Sequence, residues 1–205
     1  MEFLKALTRQ FKANEPIFQS SIRVKGMSSD NLRQSLSRLI ARGELIRFQR
    51  GIYYIPTETP FGKSRLNVER VIEKKYIQTE RETQGFYAGL WLENLIGLSL
   101  QVPGVMDIVT NVEKSRCREI VFGGQRLRLR RPRIPITTAN AAVLQFLELM
   151  NRLEPRQFES EQLAKLNRFA MSQNMTNEQI NEFIDFFPSK ASKNMIRTGV
   201  VHVFA

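Results

Sequence analysis

One stretch of the chain, SSDNLRQSLSRLIARGELIRFQRGIYYIP, carries hydrogen-bonding side chains at helical spacing. They are Asn31, Gln34, Ser37 and Arg38, with the small Ala41 beside them. Arginine can bond guanine through two parallel hydrogen bonds, Asn or Gln can pair with adenine, and serine can bond a base edge or a phosphate. The pattern therefore predicts a helix face that could read base edges in the major groove of DNA.

The helix that would position these side chains has clear start and stop signals. Ser28 or Ser29 is a good N-cap, and Asp30 lies in the first turn, where the helix dipole favours an acid. Gly43 lies where a glycine commonly follows a helix end. Apolar residues recur on the other face, at Leu32, Leu36, Leu39 and Ile40. We expect this face to be buried.

Two short apolar strands are expected next, in ELIRFQRGIYYIP, around a Gln49-Arg50-Gly51 turn. Helix, short element, helix and hairpin is the element order of a winged helix-turn-helix, whose second helix enters the major groove. Five further residues are predicted to contact the DNA backbone: Arg33, Arg42, Arg47, Gln49 and Arg50. The alternatives are a solvated arginine face and a winged helix that docks another protein.

The basic charge is concentrated in two segments. The net charge is +11, and residues 1–56 hold ten Lys/Arg against four Asp/Glu, while residues 112–133 hold eight against two. The other segments are close to neutral. This concentration favours a polyanionic partner, either nucleic acid or an acidic membrane surface.

The second basic segment is REIVFGGQRLRLRRPRIPI, which predicts a hairpin with its turn at Gly123-Gly124. Arginines alternate with leucines there, so they should share one strand face. This second basic surface consists of Arg126, Arg128, Arg130, Arg131 and Arg133. It could contact nucleic acid, or it could be an edge strand that its charge protects from aggregation.

The remaining pattern predicts a mixed α/β (α+β) fold. We expect a winged helix-turn-helix domain over residues 1–56, a linker over 57–63 and a larger α/β domain over 64–205. The larger domain should contain a helix at 66–76, a central helix at 86–98 with Leu90, Trp91, Leu95 and Leu98 buried, and a strand at 105–110. Three or four helices, near 138–152, 160–171 and 176–186, should follow, before a strand-like end at 199–205.

Catalytic and metal-binding patterns are weak. His202 is the only histidine and Cys117 the only cysteine, so we predict no metal site, no cofactor and no enzyme activity. A metal-dependent nuclease core is the one enzymatic alternative, with Asp107 as its first acid. However, Glu113 and Lys114 are adjacent and would point to opposite faces of a strand. The lack of a signal peptide and of a long apolar run predicts a cytoplasmic protein.

A family resemblance joins these segments. The stretch LSRLIARGELIRFQRGIYYIP resembles the N-terminal winged helix of AbiEi-type antitoxins, from bacterial abortive-infection toxin–antitoxin systems. GLSLQVPGVMDIVTN (Gly97 to Asn111), the arginine hairpin and PRIPITTAN are similar to later parts of that family. The likeness covers about residues 1–150. The winged-helix part is shared by many regulators, and the Gln101-Val102-Pro103 block is more specific.

The resemblance implies a DNA-binding antitoxin that represses its own operon by binding the promoter. It also implies that the second domain counters a nucleotidyltransferase-type toxin, with or without direct contact. A stand-alone transcriptional regulator and a mobile-element accessory protein are the alternatives, and the presence of an adjacent toxin gene would separate them from an antitoxin.

Overall fold

The chain has a mixed α+β fold, and its computed structural model describes residues 2–154 and 158–204. Their contacts divide it into two compact units, Met1–Ile72 and Glu73–Ala205. In the described part of the chain, no helix is long and apolar enough to cross a lipid bilayer.

The first unit is built around a small antiparallel sheet. Its elements are α1 (Glu2–Gln10), β1 (Ile17–Phe18), a 3₁₀ turn (Gln19–Ser21), α2 (Ser29–Ala41), β2 (Ile46–Gln49) and β3 (Ile52–Tyr54). The strand order is β1-β3-β2, with β3 in the centre. Its core comprises Leu7, Ile17, Ile22, Leu36, Leu39, Leu45 and Tyr53. Both helices therefore bury one face in this unit and expose the other.

The predicted ends of α2 are confirmed. The Ser28 hydroxyl accepts a hydrogen bond from the Asn31 N–H at 3.3 Å, which satisfies one of the free donors at the helix start. Gly43 follows the last turn with φ +70°, a left-handed conformation that glycine adopts at little cost. Leu36 and Leu39 are buried, as the apolar spacing predicts.

The first unit continues beyond Tyr54. Residues 57–63, for which the sequence predicts a linker, include a small hairpin of β4 (Glu58–Thr59) and β5 (Gly62–Lys63). The Asn14 amide donates to the Thr57 hydroxyl at 2.9 Å, and the Thr57 N–H donates to the Ser64 hydroxyl at 2.9 Å. These bonds fix the base of the hairpin. Helix α3 (Val68–Ile72) then ends the unit.

The second unit has a four-stranded mixed sheet and a helical layer. A π-helical turn (Glu73–Ile77) precedes β6 (Gly85–Ala88), α4 (Gly89–Leu95), β7 (Met106–Thr110), β8 (Cys117–Phe122) and β9 (Gln125–Arg130). Four helices follow: α5 (Ala141–Arg152), α6 (Ser160–Ser172), α7 (Asn177–Ile184) and α8 (Lys190–Thr198). The strand order is β6-β7-β9-β8, and β7 and β9 are parallel.

Apolar side chains cover both faces of this sheet to different extents. Leu127, Leu129, Met106 and Ile108 on one face are fully buried. On the other face, Phe86, Ala88 and Val109 pack with Leu144 of α5. The β6 half of that face is therefore covered, whereas Arg126 and Arg128 on β9 remain exposed.

The prediction of one central helix at 86–98 is wrong. Residues 85–88 form strand β6, and α4 begins only at Gly89, whose φ is +60°. A left-handed residue cannot continue a right-handed helix, so the apolar run is split there. Leu92 and Leu98 are buried, Leu90 and Trp91 are half-buried, and Leu95 is 56% exposed.

The edge-strand alternative for the second basic surface and the predicted strand at the chain end are both wrong. Strand β9 is not an edge strand, because it pairs with β7 on one side and β8 on the other. The chain end is not a strand, because residues Val200–Phe204 form a 3₁₀ turn after Gly199, with φ +69°. Ala205 lies outside the described residues. Helix α8 has no counterpart among the predicted ranges.

Gly85→Ala should destabilise the second unit. A Cβ at residue 85 would clash with the Tyr76 carbonyl oxygen and lie 2.8 Å from that of Val109. Both neighbours are backbone atoms, so overpacking should cost about 1–3 kcal/mol. Urea unfolding followed by fluorescence of Trp91, the only tryptophan, measures this unit. Gly104→Ala is the control, because its Cβ would meet open space. Equal midpoints for the two variants would contradict the close approach.

Candidate nucleic-acid interface

The outer face of α2 presents the predicted base-reading side chains to solvent. Asn31, Gln34, Ser37 and Arg38 are all exposed, and so is Ala41. The helix has 13 residues, which at about 1.5 Å per residue gives a length near 20 Å. The major groove is about 12 Å wide and accepts an α-helix. The face therefore has the length and chemistry that groove contact requires.

The arginines of the first unit differ in their pairing. Arg33 lies 3.7 Å from Asp30, one turn earlier on α2, and both side chains are largely exposed. Over the described ranges 2–154 and 158–204, the side chains of Arg38, Arg42, Arg47 and Arg50 form neither an ion pair nor a hydrogen bond, and all four are exposed. Their charge is therefore available to an external anion.

The β2–β3 hairpin places its polar side chains at a fixed tip. Gln49 pairs with Ile52, leaving Arg50 and Gly51 as the turn, and Gly51 has φ +77°. The Gln19 N–H donates to the Gly51 carbonyl at 2.9 Å, which connects the tip to the 3₁₀ turn before α2. Arg47, Gln49 and Arg50 are exposed.

The second basic surface is partly neutralised by acids. Arg128 donates to Glu119 from Nε at 3.0 Å and from a terminal nitrogen at 2.8 Å, and Arg126 lies 3.6 Å from the same carboxylate. The hydrogen bonds and charge of Arg128 hold the pKa of Glu119 below its ordinary value. The open sheet face therefore carries two arginines that share one acid.

Arg130 is half-buried between two carboxylates. Its Nε donates to Asp107 Oδ1 on β7 at 2.9 Å, and a terminal nitrogen donates to Glu148 on α5. Burial lowers the pKa of Arg130, but the charges of Asp107 and Glu148 outweigh burial, so the net shift is upward. Arg130 is thus a permanently charged link inside the second unit.

Arg131 and Arg133 have different surroundings. Arg133 lies 3.8 Å from Glu148 and places its guanidinium 5.2 Å from the centre of the Phe187 ring. Arg131 is exposed and has no acidic partner in the part of the chain that the structure describes. The five predicted arginines therefore do not form one uniform strip.

Three acids pair with arginines of residues 112–133 in ways that the sequence did not predict. Glu119 lies opposite Arg128 in the β8–β9 register, which the Gly123-Gly124 turn already implies. Glu148 comes from a distant helix and gave no local signal. The sequence places Glu113 only among candidate metal ligands.

Glu113 orders the turn between β7 and β8. It is 4% exposed, and its carboxylate accepts from the Ser115 N–H at 2.8 Å and from Arg118 Nε at 3.0 Å. Burial raises the pKa of Glu113, but the hydrogen bonds from Ser115 and the charge of Arg118 outweigh burial and lower it overall. The carboxylate is therefore ionised while it holds the turn.

Asp107, the acid of the nuclease alternative, is bonded to Arg130. Among residues 2–154 and 158–204, no group of three or more His, Cys, Asp and Glu could hold a metal ion. Cys117 is exposed, and His202 is exposed in the 3₁₀ turn.

No protein-family model matches the chain, and no curated protein matches it either.

Glu113→Gln should lower the free energy of unfolding of the second unit by about 1–3 kcal/mol at neutral pH, because a charged acceptor is lost. The folded-state pKa lies below the ordinary 4.5, so this stabilisation is complete above that pH and is lost as the pH falls through the folded value. The difference from the unsubstituted chain should therefore shrink as the pH falls below 4.5.

Urea unfolding followed by Trp91 fluorescence measures the free energy of unfolding of the variant and of the unsubstituted chain, at neutral pH and below pH 4.5. Glu161→Gln is the control, because Glu161 is exposed, lies 2.7 Å from Lys165 and should contribute little to stability. A difference for Glu113→Gln that stays constant with pH would contradict the role of its charge.

Proposed function

We propose that the first unit is a winged helix-turn-helix module that binds double-stranded DNA. The element order α1, β1, short turn, α2 and hairpin, with strand order β1-β3-β2, supports this assignment. The observation that carries it is the exposed polar face of α2, together with four arginines on α2, its C-cap and the hairpin that pair with no acid of the described residues. The 3₁₀ turn takes the place of the first helix of the motif.

In the proposed complex, α2 lies in the major groove. Asn31, Gln34, Ser37 and Arg38 contact base edges, and Ala41 permits close approach. Backbone phosphates are contacted from α2 and the hairpin, by Arg33, Arg42, Arg47, Gln49 and Arg50. Arg33 must leave Asp30 before it can bind a phosphate, so it contributes less to the free energy of DNA binding than Arg42, Arg47 and Arg50.

The biological role that we propose is that of an AbiEi-type antitoxin. The protein represses its own operon and counters a nucleotidyltransferase-type toxin, which it need not contact directly. The antitoxin role is inferred from the resemblance of residues 1–150 to that family, in particular of the Gln101-Val102-Pro103 block. A stand-alone regulator or a mobile-element accessory protein would bind DNA in the same way but would not restore growth when co-expressed with a toxin encoded beside it.

The direct test of DNA binding is a gel shift of the full chain on its own upstream DNA at two salt concentrations. Specific retardation that weakens steeply with salt is expected, because the contacts release counterions from phosphates. Equal retardation of upstream and unrelated DNA would contradict a specific operator.

Arg38→Ala should weaken binding to the operator by about 1–3 kcal/mol and relax specificity at one base pair. Its guanidinium is exposed on the base-reading face, so folding should be unaffected. Competition with operators altered at single positions measures the specificity. Arg168→Ala, an exposed arginine on α6 of the second unit, is the charge-matched control.

Arg50→Ala should instead weaken binding to all sequences by a similar factor. Loss of one phosphate contact should reduce the slope of log affinity against log salt by about 0.9. Binding isotherms at several salt concentrations on operator and unrelated DNA measure this slope. If Arg38→Ala and Arg50→Ala both bound like the unsubstituted protein, α2 and its hairpin would not be the DNA-binding surface.

A further inference from the structure

A basic cleft lies in the second unit, where β7 ends, β8 begins and β9 ends. Its volume is about 1050 Å³. One wall is the turn of residues 111–116, the other is the segment 131–135, and Val109, Arg130 and Glu148 also line it. Small-molecule sites in proteins occupy about 300–1,000 Å³, so this cleft is slightly larger than a typical one.

The cleft has more cations than its acids can neutralise. Its lining contains two carboxylates, Glu113 and Glu148, and five cations: Lys114, Arg116, Arg130, Arg131 and Arg133. Glu113 is bound to Arg118, and Glu148 is shared by Arg130 and Arg133.

Three of these cations remain unpaired. Lys114, Arg116 and Arg131 are exposed, and none has an acidic partner across residues 2–154 and 158–204. A concave site lined by charge of one sign concentrates the electric field and attracts counter-ions.

The walls that carry these three cations are held in place before any ligand arrives. Glu113 bonds Ser115 and Arg118, which fixes the turn bearing Lys114 and Arg116. The Asn111 side chain joins the two walls, donating to the Ile136 carbonyl at 2.7 Å and accepting from the Ile136 N–H at 2.9 Å.

Two prolines, Pro132 and Pro135, restrict the backbone of the second wall. Such preorganisation reduces the entropy lost on binding.

The lining selects for phosphate groups. Arginine donates paired hydrogen bonds that match phosphate oxygens, and lysine adds a point charge. Three cations from two walls match a chain of phosphates better than a single one. The lining contains no aromatic ring on which a base could stack. Its concave shape and small-molecule size also distinguish it from the exposed helix face of the first unit.

We propose that this cleft binds the polyphosphate group of a small ligand, either a nucleoside polyphosphate or a free polyphosphate, through Lys114, Arg116 and Arg131. The site is separate from α2 and its hairpin, and it does not depend on the DNA-binding role proposed for them. Arg130 shapes the cleft but is already bound to Asp107 and Glu148.

Isothermal titration calorimetry of the full chain with inorganic tripolyphosphate, and separately with ATP, tests the proposal at low ionic strength. Saturable one-to-one binding is expected. Arg131→Ala and Arg116→Ala should each weaken it about tenfold or more, because a charge-assisted hydrogen bond is lost. Arg168→Ala, which removes the same charge from α6, should change it by less than about twofold.

The two ligand sources are distinguished by comparing these titrations. Tighter binding of ATP than of tripolyphosphate assigns the site to a nucleotide, and equal affinity assigns it to the phosphate chain alone. Arg131→Lys provides a second check, since it keeps the charge and should lose only part of the affinity. Trp91 fluorescence confirms that each variant is folded.

Three results would overturn the proposal. The first is that neither compound binds the unsubstituted protein. The second is that Arg168→Ala weakens binding as much as Arg131→Ala. The third is that both cleft variants weaken binding to duplex DNA while neither small compound binds, which would make the cleft part of a nucleic-acid surface.

Discussion

The second unit depends on the guanidinium of Arg130 being held between Asp107 and Glu148. Even a half-buried charge is costly when it is unpaired, because it is partly removed from water. The ion pairs therefore require β9 to lie beside β7 and α5 to cross the same sheet face. Once α5 is fixed there, it covers the β6 half of the face. The β9 side of that face is left open, with Arg126 and Arg128 exposed, and the basic cleft lies beside Arg130 at the end of β9.

The same pairing rules separate two segments that are equally basic in the sequence. Most of the arginines of residues 112–133 pair with an acid, so much of their charge stabilises the fold. The acids are Glu113, Glu119, Asp107 and Glu148. In the first unit, the outer arginines of α2 and the hairpin pair with no acid of residues 2–154 and 158–204 except Asp30. Net charge alone therefore overestimates the second basic surface as a binding site, because a paired arginine must give up its acid before it can bind a phosphate.

Sequence reasoning succeeded where the determining contacts are local. The Ser28 cap, the glycine after α2 and the Gly123-Gly124 turn each depend on a few adjacent residues. It failed where conformation depends on distant contacts. The apolar run from Phe86 fits a buried strand or a buried helix equally well, and only the pairing of Gly85 with β7 and the left-handed Gly89 decide it.

The parallel pairing of β7 with β9 also depends on distant contacts, and it gives the arginines of the second basic surface different roles. A hairpin alone would have left Arg130 in water, whereas β7 brings Asp107 beside it and α5 adds Glu148. The second basic surface is thereby divided into Arg126 and Arg128 on the sheet face, a structural Arg130, and Arg131 at the mouth of the cleft. Cations on an exposed helix suit a groove, whereas cations around a concave opening suit a compact anion. The shape around each cluster, more than its charge, determines the class of ligand that it can take.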